Sequence, residues 1–307
     1  MSAKEELRLL IDMLSEYECK HLLNTVQEIA EGERFWEGDF GLLYNEYVKL
    51  RYFNVGRHPS AAPHMEESVF VPIPIVKSYP GAERVQLLAP EHLGAPLAET
   101  LMARRSRRDY SGAPLSLGQL STLLQYACGI TGFVAAYSFT RLPLRSFPSH
   151  GGLQAPEIYL SAQAVDGLSA GIYHYHVIDH VLESLNPGNH RQRLCTLAFN
   201  ERHVESSAVV FLITGYYERL RWKYGERAYR FMCIDAGFLG ENLYLVAEAL
   251  ELGACAVSGF AQDGVEELLG IDGKEEMALM LLTIGMRQDI EGGNHSKGNS
   301  TKAHHPG

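Results

Sequence analysis

Arg104-Arg105-Ser106-Arg107-Arg108 places four guanidiniums around one hydroxyl, in a chain of 307 residues whose formal net charge is −10. Like charges that close repel one another unless an anion lies among them, and guanidinium forks with a hydroxyl are phosphate-gripping groups. Asp109-Tyr110-Ser111-Gly112 follows, then a capped helix start at Leu115 to Leu120. Read alone, the segment fits either a solvated basic turn or a phosphate grip. As a grip, each hydrogen bond to the charged group would contribute roughly 1.5–3 kcal/mol.

Three further segments could do chemistry. Arg145-Ser146-Phe147-Pro148-Ser149-His150-Gly151-Gly152-Leu153 combines a proline, small hydroxyls and two glycines before a strand. Glycines let backbone amides approach a flat ligand, although an ordinary tight turn has the same composition. Trp222-Lys223-Tyr224-Gly225-Glu226-Arg227-Ala228-Tyr229-Arg230 alternates charge and aromatic character before a long helix. Lys223 beside Tyr224 can act as base and hydrogen-bond donor if burial lowers the lysine pKa; a solvated helix start with cation–π contacts is the alternative. Arg287 follows the apolar run ending at Ile284-Gly285-Met286 and could reach a phosphate or simply meet solvent. His174, His176 and His180 are spaced like a metal comb, but no carboxylate or cysteine in the pattern completes a ligand set, so no metal is expected.

The elements that must position these residues are legible from periodicity. Residues 5–30 have helical spacing, and seven prolines between Pro59 and Pro96 exclude long helices, so an extended arm is expected there. Glu157–Leu160 and Gly171–Val177 are expected as neighbouring strands around a turn at Asp166-Gly167. The continuous apolar run Ala208–Thr214 is expected as a buried central strand. Ala228 to Leu252 is the longest helical stretch, stopped by Gly253; strands at Ala254–Val257 and Ala278–Ile284 follow. Helices and strands mix without a β-α-β rhythm, which implies an α+β fold. The expected organisation is a helical and proline-rich arm (1–96), a compact domain (97–288) and a disordered tail (289–307).

Composition narrows the function. Apolar content of 46% and charged content of 21% are those of a globular protein. The acidic balance argues against nucleic acid, and no apolar run is long enough for a membrane helix. Five scattered cysteines make neither a disulfide framework nor a zinc site, and the charged N-terminus lacks a signal-peptide core. A cytoplasmic protein is expected. No G-x-G-x-x-G or P-loop pattern occurs, so a phosphate-bearing cofactor must be held another way.

The ordered set of motifs resembles the nitroreductase superfamily, specifically the SagB/ThcOx-type flavin dehydrogenases, over roughly residues 97–287. Arg104 to Tyr110 is similar to the family's FMN-binding basic motif, and Arg145 to Tyr159 to its R-x-x-P-S-A-G segment. Lys223 to Arg230 is similar to its K-Y-G-x-R-x-Y-R block, and Asp235 to Leu245 to its long-helix motif. Gly253 to Phe260 completes the series, with a weaker echo at Tyr44 to Lys49. The resemblance implies a mostly antiparallel sheet flanked by helices in an interwoven homodimer. It also implies FMN held by Arg104, Arg105, Ser106, Arg108 and Arg287, with Pro148, Ser149, Gly151, Ser258 and Gly259 against the flavin ring. Lys223 and Tyr224 would then assist proton removal as hydride passes to flavin N5.

The implied activity is dehydrogenation of a thiazoline or oxazoline in a small molecule or peptide, with a cyclodehydratase as the implied candidate partner. An NAD(P)H-dependent nitro or quinone reductase, and a flavin-binding protein without redox turnover, are the competing readings. His150 stands where the family usually has alanine, Gln154-Ala155 where it has Tyr-Pro, and Asp235, Phe238 and Glu241 where many members have Glu, His and Gln. These departures bear on substrate more than on cofactor. No separate leader-peptide-binding domain is expected.

Overall fold

Unbroken apolar runs become strands buried on both faces. The computed structural model describes residues 74–137 and 139–288 together with Gly41, Tyr44 and Asn45. The helical periodicity at 5–30, the prolines at 59–72, Cys19 and the tail after 288 lie outside the described residues. Numbered along the described residues, the strands are β1 (Arg84–Gln86), β2 (Leu115–Ser116), β3 (Ile130–Ala136), β4 (Phe139–Arg145), β5 (Pro156–Ala162), β6 (Val165–Asp166), β7 (Gly171–His176), β8 (Val181–Pro187), β9 (Val209–Tyr216), β10 (Leu252–Val257) and β11 (Glu276–Met286). The helices are α1 (Leu97–Ala103), α2 (Leu117–Cys128), α3 (Arg191–Leu197), α4 (Arg202–Ser206), α5 (Glu218–Tyr224), α6 (Ala228–Ala249) and α7 (Gln262–Leu269).

Seven strands form one sheet in the order β1-β8-β7-β5-β9-β11-β10, and every pairing in it is antiparallel. β2 and β6 pair in parallel, and β3 with β4 makes a separate hairpin. The expected neighbours β5 and β7 do pair, and β9 lies between β5 and β11. Alternate side chains serve opposite layers. Val209, Phe211 and Ile213 face the core shared with Leu120, Leu123, Leu239 and Leu243 of α2 and α6. Val210 and Leu212 face Leu194, Val204, Val265 and Leu268 of α3, α4 and α7. Each fully buried leucine contributes about 1.5–3 kcal/mol.

The expectation that Gly253 stops the long helix comes out differently: Gly253 lies inside β10, paired with Gly285 inside β11. Instead α6 stops at Ala249 and Leu250, and the reversal runs through Glu251 at φ 59. A Cβ on Gly253 or Gly285 would meet the Tyr110 ring at 2.9 and 2.7 Å. These two bare positions form the slot in which the ring lies. The Tyr110 hydroxyl bonds Thr283 Oγ1 at 2.7 Å, and Tyr110 bridges to Arg287. The segment after the basic run is thereby pinned across the ends of β10 and β11.

Residues 74–96 also join the body. β1 extends the sheet beyond β8, and Lys77 reaches Glu276 and Tyr159, 2.7 Å from the Tyr159 hydroxyl. Ser116 caps α2 by accepting from Gln119 N at 3.0 Å while Gln119 Oε1 accepts from Ser116 N at 2.9 Å, a reciprocal cap worth about 1 kcal/mol.

Candidate active site

Both chemistry-bearing ends of the sequence converge on α6. Its first half carries Phe231 and Asp235, which meet the Ser149–Gly152 loop; its second half carries Glu241, Tyr244 and Glu248, which meet the basic run. Nine residues from Asp235 to Tyr244 at 1.5 Å each separate the two by roughly 14 Å along the helix axis.

At the first end, α5 closes with Lys223 and Tyr224, held down by fully buried Leu220 packed with Leu153, Ala228 and Met232. Gly225 ends α5 at φ 55, ψ −140, a conformation few side chains tolerate. That sharp turn separates α5 from α6 and leaves Tyr224 facing the loop. Gly151 sits opposite at φ 63: a Cβ there would lie 2.6 Å from the Tyr224 hydroxyl, 3.0 Å from Lys223 Nζ and 3.2 Å from the Tyr137 hydroxyl. Three proton-bearing groups therefore crowd one bare backbone position. Tyr137, at the tip of the β3–β4 hairpin, accepts a hydrogen bond from Lys223 and packs edge-on against Trp222 with centroids 5.5 Å apart.

Burial by itself pulls the Lys223 pKa down, but hydrogen bonds and electrostatic attraction involving Tyr137 and Tyr224 outweigh it, so the net direction is upward. The condition under which Lys223 would serve as a neutral base is not met. It enters as an ammonium, with no carboxylate partner among the described residues.

The loop is organised by Asp235, which is fully buried. Its carboxylate accepts from the Ser149 hydroxyl (2.8 Å), the His150 backbone N–H (3.1 Å) and His150 Nδ1 (2.6 Å). Desolvation raises the Asp235 pKa, and these donors partly offset the rise. The His150 ring stacks on Phe231 at 4.1 Å, and Tyr224 meets the same Phe231 ring edge-on at 4.9 Å. Pro148 is exposed beside the loop. Tyr44 and Asn45 dock on the same block: the Tyr44 hydroxyl donates to the Glu226 carbonyl at 2.9 Å, and Arg230 donates to Asn45 Oδ1 at 3.0 Å.

At the second end, Ser106 bridges to Ala254 of β10, its hydroxyl 3.1 Å from that of Tyr244. Arg104 lies 3.7 Å from Glu241 and over the Tyr244 ring. Arg287 pairs with Glu248 at 2.7 Å and donates to the Leu252 carbonyl at 3.1 Å. Arg107, in the run but outside the implied phosphate set, shares Glu248 at 3.8 Å, and its buried Nε makes no hydrogen bond among the described residues. Arg108 is exposed and close enough to Cys255 to lower its pKa against the dominant effect of burial. Arg105 differs: it folds back on the carbonyls of Met102 and Arg104, at 3.1 and 2.7 Å. Ser258 and Gly259 are exposed just beyond β10, with open space around Gly259.

The structure thus gathers Arg104, Ser106, Arg108 and Arg287 near one end of α6, and Ser149, Gly151, Lys223 and Tyr224 near the other. Tyr137 had no sequence signal, because a turn tyrosine is unremarkable until the fold brings it to Lys223. His174 and His176 bind no metal-like cluster: among the described residues no group of three or more His, Cys, Asp or Glu is placed to hold an ion. No helix among them is long and apolar enough to cross a membrane.

The nitroreductase family pattern matches residues 101–286, well over half of the chain. The chain belongs to the nitroreductase family. MJ1384 of Methanocaldococcus jannaschii, named as a nitroreductase, is 30% identical over 194 residues, 62% of this chain and 91% of its own length. TfxB, a trifolitoxin-processing protein of Rhizobium leguminosarum bv. trifolii, is 27% identical over 175 residues, 55% of this chain and 47% of its own. This chain therefore spans about half of TfxB. A solved nitroreductase-type protein from Anabaena variabilis superposes with a TM-score of 0.58 at 28% identity, over 68% of this chain and 42% of that one. As a nitroreductase-family enzyme, the protein is an FMN-dependent oxidoreductase.

The donor set fits that cofactor. Arg104, Arg107, Arg108 and Arg287 face only Glu241 and Glu248 as carboxylate partners among the described residues, leaving surplus positive charge for a phosphate and a buried Arg107 Nε that pairs loosely with Glu248 and makes no hydrogen bond.

Proposed function

We propose that this nitroreductase-family enzyme dehydrogenates a thiazoline or oxazoline ring, borne on a small molecule or peptide, to the aromatic azole. The observation that carries this reading is the crowding of Lys223, Tyr224 and Tyr137 around Gly151. Aromatising an azoline requires a proton to be removed as well as a hydride, and this is a site equipped to handle protons. The similarity to TfxB, named as a trifolitoxin-processing protein, supports a substrate in natural-product maturation.

FMN, when bound, supplies the two-electron acceptor. Arg104, Ser106, Arg108 and Arg287 would hold its phosphate, with Arg107 as a further donor. Ser149 and Gly151 would line the ring, with Pro148, Ser258 and Gly259 as rim. Lys223, as an ammonium, and the two tyrosine hydroxyls would hold the azoline nitrogen or its neighbouring carbonyl and stabilise negative charge as the ring is deprotonated. The working form in this reading is a homodimer in the cytoplasm, where the free thiols of Cys128, Cys195, Cys233 and Cys255 stay reduced. A cyclodehydratase, the class of enzyme that makes azolines, is its expected partner.

A second reading, an NAD(P)H-dependent nitro or quinone reductase, is favoured by the similarity to MJ1384. One experiment separates the two. Purified FMN-loaded protein is incubated with a synthetic 2-methylthiazoline-4-carboxamide under air, and in parallel with NADPH and menadione. Loss of two hydrogens from the thiazoline by mass, with little NADPH consumption, upholds dehydrogenation. Steady NADPH oxidation with an untouched thiazoline replaces it by the reductase reading. Flavin bound with neither reaction leaves a flavin-binding protein.

A further inference from the structure

We infer that His150 is the proton acceptor of the site and that Asp235 is the residue that positions it. The inference rests on the dehydrogenation reading. In that chemistry Lys223, held as an ammonium by its hydroxyl partners, cannot take the substrate proton. A base must therefore come from elsewhere around Gly151.

His150 is the next residue in the chain, and its environment is built for that role. Nδ1 lies 2.6 Å from Asp235 Oδ1. The same carboxylate already accepts from the Ser149 hydroxyl and from the His150 backbone N–H, so it is an acceptor toward every group around it. Nδ1 must then be the donor, which fixes the imidazole tautomer and leaves the Nε2 lone pair outward. Nε2 has no partner among the described residues, and the side chain keeps 27% of its exposure. The Phe231 ring, parallel at 6°, fixes the plane. That same ring touches Tyr224, so the base and the Lys223–Tyr224 pair lie about a single backbone position, Gly151.

The charged and titratable groups around the imidazole are Asp235 of α6, Lys223 and Tyr224 of α5, Tyr137 of the hairpin tip and Arg227, whose guanidinium lies 5.8 Å from the Phe231 centroid. Asp235 is thus in direct contact with His150, and the Lys223 ammonium lies beside Gly151. The carboxylate stabilises the imidazolium once formed, while Lys223 holds the electron-rich side of the substrate ring.

The balance is simple. The C–H proton beside the carbonyl passes to Nε2, and its electron pair becomes the new ring C=C bond. The neighbouring C–H leaves with its pair as hydride, taken up by the flavin. Two hydrogens and two electrons leave the azoline, and the imidazolium returns its proton to solvent.

The test uses FMN-loaded protein, with 2-methylthiazoline-4-carboxamide as the probe. His150→Ala should lower its turnover about 100-fold, the scale of general-base catalysis. FMN content and melting temperature should be retained, the acid limb of the wild-type pH profile should disappear, and added imidazole should restore at least a tenth of the rate. Asp235→Asn should lower kcat with little change in KM. Undiminished turnover in His150→Ala, or a loss that imidazole does not rescue, overturns the assignment. Ring-15N NMR, with His150 identified by His150→Gln, decides independently of turnover: protonated Nδ1 and bare Nε2 uphold the dyad, and the opposite tautomer overturns it. Wild-type protein that never oxidises the thiazoline sinks the dehydrogenation reading, and the tautomer still judges the dyad.

Discussion

Gly151 is where backbone and chemistry meet most tightly, so it gives the sharpest residue-level prediction. Alanine at φ 63 carries left-handed strain of about 1–2 kcal/mol. The same holds for Gly152 at φ 69, whose Cβ would meet only Leu142 at 3.9 Å. At Gly151 the new methyl also collides with the Tyr224 hydroxyl and Lys223 Nζ. Urea denaturation should therefore show similar losses for Gly151→Ala and Gly152→Ala, while turnover falls much further in the first. Equal turnover in the two variants would mean the Lys223 cluster is not at the reacting centre. Lys223 and Tyr224 stood out in the sequence because charge and aromatic residues alternate just before a helix. Tyr137 and the Asp235–His150 contact did not, since nothing local joins a hairpin tip to Lys223, 86 residues further on, or a glycine loop to a helix position 85 residues further on.

One rung of the sheet holds a buried ionic network that no single element displays. Arg84, Glu183, His174 and Tyr159 are successive cross-strand partners on β1, β8, β7 and β5. His174, fully buried, bonds Glu157 through Nε2 and Glu183 through Nδ1, both at 3.0 Å. Arg219 pairs with Glu157 and donates to the Pro74 carbonyl at 2.9 Å. The network clamps residues 74–84 to the sheet. The apolar strands were legible because burial on both faces writes continuous hydrophobic runs. This rung was not, because its members are neighbours only across strands, and so His174 read as part of a metal comb.

Burial alone would raise Glu157, but the Arg219 guanidinium and His174 hold it well below the usual carboxylate range. Burial alone would lower His174, but its two carboxylates raise it. The imidazolium pairs therefore contribute in full below the ordinary histidine value of 6.5 and fade as pH rises through the raised one. The contribution of Glu157 is full above 4.5 and is lost only in stronger acid. Urea midpoints should decline from mildly acidic toward alkaline pH, and Arg219→Met, which leaves Glu157 without its guanidinium, should cost about 3–5 kcal/mol. Stability that climbs steadily into alkali, or an Arg219→Met protein as stable as wild type, would show that the clamp contributes nothing.

At the scale of the molecule, the question is why the basic end and the Lys223 end lie so far apart on α6. Its outer face exposes Ile234 and Phe238, and α1 beside it exposes Leu97, Leu101 and Met102. Phe238 falls near the midpoint between Asp235 and Tyr244. A two-fold axis passing there would cross two copies of α6 nearly antiparallel, bringing the Gly151 end of one copy against the arginine end of the other. The apolar patch would be covered in the same step, and each cofactor would be gripped by arginines of one chain and met by the loop of its partner. Wild-type protein should then sediment as a dimer holding two FMN. Phe238→Glu, which sets charge on the axis and takes no part in the buried core, should sediment as a folded monomer that releases its flavin on gel filtration. A wild-type monomer retaining one FMN would mean that a single chain completes the site, and that the separation along α6 is bridged within it.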